Sequence, residues 1–134
     1  MKIYQCKTED SPSLVPILEE LGMSYEETLK DGSAMARAAE RVREVSGMNH
    51  VVVPLSACLM TACLGTAITW DPELGDRVAK EVFSDWSEAE AFRSESIRRE
   101  RLDPLFEAIK ILKERGARIV VNVTGPIALL SGLL

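Results

Sequence analysis

Two short polar clusters carry the side chains of this sequence that could do chemistry. Asn122, Thr124 and Gly125 follow directly on the apolar run Ile119-Val120-Val121. A strand there would deliver an amide, a hydroxyl and an unhindered backbone to its C-terminal end, which suits hydrogen bonding to a polar substrate. The competing reading is that Gly125-Pro126 only turns the chain and Asn122 satisfies backbone groups. Ser56 and Thr61 follow the β-branched run Val51-Val52-Val53 and are candidates to line the same pocket. His50, Cys58 and Cys63 carry metal-binding atoms, but the simpler reading is that His50 starts a strand and the cysteines pack as small hydrophobes. Trp70 and Trp86 read as packing residues. Residues 95–101 read as a solvated helix face ahead of a clamp for phosphate or carboxylate.

Holding these groups requires strands and helices in alternation. Residues 12–21 suit a short helix stopped by Gly22, and Ser24 with Glu27 three residues on makes a capping box. Ser33 is placed to cap a longer helix in which Met35, Ala38, Ala39, Val42 and Val45 recur at helical spacing before Gly47. The almost wholly apolar run 50–54 suits a strand covered on both faces, as in a parallel sheet. A small apolar segment, 55–64, stops at Gly65. A further strand is expected over 66–70, ending at Asp71-Pro72, then a loop with some helix over 71–84, and a capping box at Ser87 and Glu90. Asp103-Pro104 suits a helix start, with the aspartate accepting an orphan amide. Leu105, Ala108, Ile109 and Leu112 form that helix's apolar stripe, and Gly116 ends it. Residues 118–123 make a second buried-type strand, giving the strand–helix–strand order of a βαβ crossover. A short strand is also expected over residues 2–6.

Composition sets the outer limits. The 134 residues are 46% hydrophobic and 28% charged, enough for one globular domain with a core. Net charge is -5, and the basic residues are interleaved with acids, so no basic footprint for nucleic acid is present. No apolar stretch reaches the length of a membrane span, and the N-terminus lacks the apolar centre of a signal peptide; a cytoplasmic location is expected. Three cysteines, Cys6, Cys58 and Cys63, without paired spacing suit free thiols. No P-loop, nucleophile elbow or corrinoid-binding D-x-H-x-x-G motif occurs. The apolar run 122–134 carries no helix cap or polar tail, so the sequence is expected to be a fragment cut within an α/β unit.

His50-Val51-Val52-Val53-Pro54, Cys63-Leu64-Gly65, the stretch from Pro104 to Gly116, and Asn122-Val123-Thr124-Gly125-Pro126 with Leu129-Leu130-Ser131 together resemble the N-terminal half of the uroporphyrinogen decarboxylase superfamily. The nearer likeness is to its cobalamin-dependent methyltransferases, which move a methyl group between a corrinoid protein and a thiol such as coenzyme M. The resemblance covers roughly residues 18–134. It implies an α/β fold, a partial (half) TIM-type (β/α) barrel with parallel strands and flanking helices, and one partial domain over residues 1–134. A complete barrel needs about 250 residues. Half a barrel exposes a sheet edge, so a homodimer or a complementary C-terminal half is expected as partner, with a corrinoid protein as a further one.

Measured against that resemblance, the catalytic residues are thin. The decarboxylases' pyrrole-holding aspartate falls at Ser56, whose hydroxyl supplies no negative charge, and their arginine-rich N-terminal loop has no match, since the first arginine is Arg37. The methyltransferases' acidic residues fall at Met60 and Ala62. Their zinc, held by His and Cys from the C-terminal half, activates the thiol. The expectations are therefore Ser56, Thr61, Asn122 and Thr124 as pocket walls, no catalytic residue identified, no metal or cofactor bound by this chain alone, and zinc and a corrinoid implied for the complete enzyme. Alternatives are a non-catalytic binding or assembly domain and a tetrapyrrole carboxy-lyase.

Overall fold

The computed structural model describes residues 13–72, 75–80, 82–131 and 133. The strand expected over 2–6, and Cys6 with it, lie outside them. Helix α1 (Leu14–Leu21) closes at Gly22, whose φ of 64° is the left-handed conformation that glycine adopts freely. Helix α2 (Tyr25–Lys30) starts at the expected capping box: the Ser24 hydroxyl accepts from the Glu27 amide, and the Glu27 carboxylate accepts from the Ser24 amide. Helix α3 (Gly32–Ser46) is capped by Asp31, not Ser33; the Asp31 carboxylate accepts the Ala34 amide at 2.7 Å. Asp31 also closes α2 by donating to the Glu27 carbonyl, so one residue ends one helix and begins the next. Ser33 is left inside the first turn.

Strand β1 (Val51–Val53) lies parallel to β4 (Ile119–Val121), with Val52 opposite Val120. Helix α6 (Asp103–Glu114) runs between them in sequence and packs along α3. Met35, Ala36 and Ala39 of α3, Val51 and Val53 of β1, and Leu105, Ala108 and Leu112 of α6 form one buried cluster. The βαβ reading and the α6 stripe therefore hold, and the mixed α/β layer of parallel strands and flanking helices is a partial TIM-like fold. The start of α6 differs from expectation: a 3₁₀ turn, Arg99–Leu102, runs straight into it, so Asp103 is already helical and caps nothing with its side chain. β4 differs too. It is half-open, with Val121 45% and Val123 64% exposed, because among the described residues it has a strand neighbour on one side only.

The expected loop after Trp70 is a strand. β2 (Ala67–Asp71) and β3 (Gly75–Lys80) pair antiparallel, Ile68 opposite Val78 and Trp70 opposite Asp76. Between β1 and this hairpin sits the short helix α4 (Leu59–Cys63). Helix α5 (Trp86–Ala91) is capped by Asp85, whose carboxylate accepts the Ser87 and Glu88 amides, in place of the expected Ser87–Glu90 box. Helix α7 (Pro126–Ser131) follows β4. No helix among the described residues is long and apolar enough to cross a membrane.

Candidate functional site

The parallel pairing delivers the turns after β1 and β4 to the same end of the sheet, where Ser56, Asn122 and Thr124 lie, while Thr61 sits farther on inside α4. The Asn122 amide donates to the Val53 carbonyl at 2.8 Å, extending the ladder one step past β4. Thr124 Oγ1 donates to the Ala57 carbonyl at 2.7 Å, tying the second turn to the first. Ser56 is buried at the start of the 56–58 turn, where its hydroxyl accepts from the Cys58 amide at 3.1 Å. Thr61 is buried in α4, and its hydroxyl donates back to the Cys58 carbonyl at 2.7 Å, a bond that fastens the helix start.

Asp76, which sequence reasoning missed, organises this turn. Its Oδ2 accepts the Ser56 hydroxyl at 2.5 Å and the Cys58 amide at 3.0 Å, and its Oδ1 is 3.4 Å from the Ala57 amide. The hydrogen bonds that a carboxylate accepts are charge-assisted and roughly twice as strong as neutral ones. The Ser56 proton is thereby committed to Asp76, so towards any ligand this hydroxyl can only accept. The signal for Asp76 lay in Asp71-Pro72 and Gly75 as turn residues ahead of 76–80, a hairpin pattern read as loop because Val78 is the only large apolar residue of that strand.

Tyr25 completes the cluster. Its ring stacks on Trp70 with centroids 4.0 Å apart and planes 15° from parallel. Since Trp70 faces Asp76 across the hairpin, the phenol is carried to the Ser56–Asp76 pair. Tyr25 is only 5% exposed, and its buried hydroxyl makes no hydrogen bond of ordinary geometry. Burial pushes the phenol well above its ordinary range; the nearby Ser56 hydroxyl opposes the shift and the Asp76 charge adds to it. Tyr25 is thus a neutral donor at any physiological pH. Burial likewise pushes the Cys58 thiol up to about 11, with the Asp76 charge adding to the effect. Its Sγ lies 3.7 Å from the Asp76 carbonyl.

Zinc does not fit these residues. Among the described residues no group of three or more His, Cys, Asp or Glu could hold a metal ion. His50 is buried beside Asn49 at the entry to β1, whereas Cys58 lies past its exit.

The sequence profile described as Uroporphyrinogen decarboxylase (URO-D) matches residues 17–134. Among solved structures, the fold is similar to that of a methyltransferase from Methanosarcina mazei, with a TM-score of 0.75 and 24% identity over 92% of this chain and 38% of that one. The chain thus spans 38% of that methyltransferase's length, and likeness at this identity speaks to the fold. No curated protein matches the chain.

Proposed function

The chain belongs to the uroporphyrinogen decarboxylase family, and from that footing we propose that it is the N-terminal part of a methyltransferase moving a methyl group between a corrinoid and a thiol. The observation that carries this reading is the polar cluster at the C-terminal ends of β1 and β4, the end at which barrel enzymes build their sites. In this reading Ser56, Thr61, Asn122 and Thr124 shape the pocket wall, Asp76 fixes the 56–58 turn, and Tyr25 offers a neutral donor. Zinc and the corrinoid would be held by a complementary C-terminal half, and the chain alone would be inactive. Support comes from the family and from the fold shared with a methyltransferase. The test is methyl transfer from methylcobalamin to a thiol, assayed with this chain alone, with a C-terminal half of a family member, and with both. Turnover only with both supports the proposal; a defined complex without turnover points to a binding or assembly domain instead.

One observation favours a second reading, decarboxylation of a tetrapyrrole. Asp76 brings a carboxylate to the hydroxyl of Ser56, so the negative charge missing at position 56 is present beside it. Tetrapyrrole binding by the complemented protein, lost in Asp76→Asn, would support it, and absence of binding in the parent would remove it.

A further inference from the structure

Beside the Ser56–Asp76 cluster lies a cavity of about 690 Å³, within the size range of small-molecule sites. Its walls come from α2, α4, β2 and the turn leading into α6. Leu59, Ala62 and Ile68 make it apolar, and Tyr25 and Trp70, stacked on each other, also line it. Four charged residues reach it. Lys30 is neutralised by Glu26, at 2.5 Å. Arg101 makes no ion pair and no side-chain hydrogen bond among the described residues, and neither does Glu100. Their fields differ, however: at Cys63, buried in α4 next to Ala62, the positive charge of Arg101 acts more strongly than the negative charge of Glu100.

We propose that this cavity binds an organic anion with a flat apolar body, the ring lying against the Tyr25–Trp70 side and the acid group meeting Arg101. A carboxylate or sulfonate at the rim would give the guanidinium the bidentate acceptor it lacks, while the ring would cover apolar wall that water now faces. The inference stands apart from methyl transfer: it concerns only this chain's walls and holds or fails whether or not the complete enzyme turns over.

The probe is 1-anilinonaphthalene-8-sulfonate, read by energy transfer from Trp70 in a Trp86→Phe background, against the neutral analogue N-phenyl-1-naphthylamine. The sulfonate is expected to bind about fivefold more tightly than the neutral analogue, the size of a partly screened charge contact. Arg101→Gln should erase that preference, Glu100→Gln should tighten the sulfonate, and Lys30→Gln should leave it within twofold. Equal affinity for both probes, an Arg101→Gln variant that binds like its parent, or probe fluorescence without transfer from Trp70 would each overturn the proposal. Arg101 and Glu100 are both exposed, so the substitutions leave the core intact.

Discussion

At the scale of single residues, Asp76 holds the 56–58 turn together. Asp76→Ala would strand the buried Ser56 hydroxyl and leave the Cys58 amide only its bond to Ser56 Oγ, and is expected to lower stability by about 2 kcal/mol, measured as a fall in the urea midpoint at constant slope. Asp76→Asn keeps an acceptor and should cost less. The Cys58 thiol gives a chemical readout of the same carboxylate. With its pKa near 11, about one thiol in a thousand is ionised at pH 8, so in a Cys6→Ser, Cys63→Ser background it should react slowly with a disulfide reagent. Asp76→Asn should speed that reaction severalfold; an unchanged rate would mean the carboxylate does not act on the thiol. Cys58 ionises near 9 when unfolded and near 11 when folded, so the unfolded chain loses its proton first. The Cys58 contribution to stability should be constant below pH 9 and be lost between 9 and 11, with Tyr25 adding to the loss above about 10.

At the scale of elements, close helix packing sets two tests. A Cβ at Gly32 would lie 2.5 Å from Glu107 Cβ, so Gly32→Ala should destabilise by about 1–3 kcal/mol, although in an open helix the same change gains up to about 1 kcal/mol. A thermal melt that rises would contradict the tight α3–α6 approach. Ser24→Ala should cost about 1 kcal/mol by opening the capping box that starts α2, and with it the placement of Tyr25. What the sequence made readable also divides at this scale. The Met35, Ala38, Ala39 stripe and the Val51-Val52-Val53 run announced α3 and β1 because local period and burial agree there. The hairpin did not announce itself, since β3 is mostly polar and is held by pairing to β2. Caps were misplaced where neighbours supplied them: Asp31 serves two helices at once, and Asp103 is already inside a continuing turn. Asn122 and Thr124 were readable as strand-end polar groups, whereas Asp76 joined the site through the hairpin and its bonds to Ser56 and Cys58, and Tyr25 through its stack on Trp70.

At the scale of the whole molecule, the open side of β4 is the feature a partner would answer. Val121 at the end of β4, and Val123 and Ile127 beyond it, are exposed apolar side chains, the last 84% exposed, and an open strand edge invites pairing. Alone, the chain is expected to self-associate by light scattering, and Val123→Lys with Ile127→Glu should reduce that association. The proposal that the chain is one half of a barrel is tested most directly at the backbone of β4. Because Asn122 donates to β1, alternation turns the Val121 and Val123 amides to the opposite edge, where a next parallel strand would accept them. The measurement is hydrogen exchange at those two amides with and without a C-terminal half of a family member. A one-to-one complex in which both slow by about tenfold or more is expected; a complex that leaves them exchanging as before would overturn the half-barrel reading.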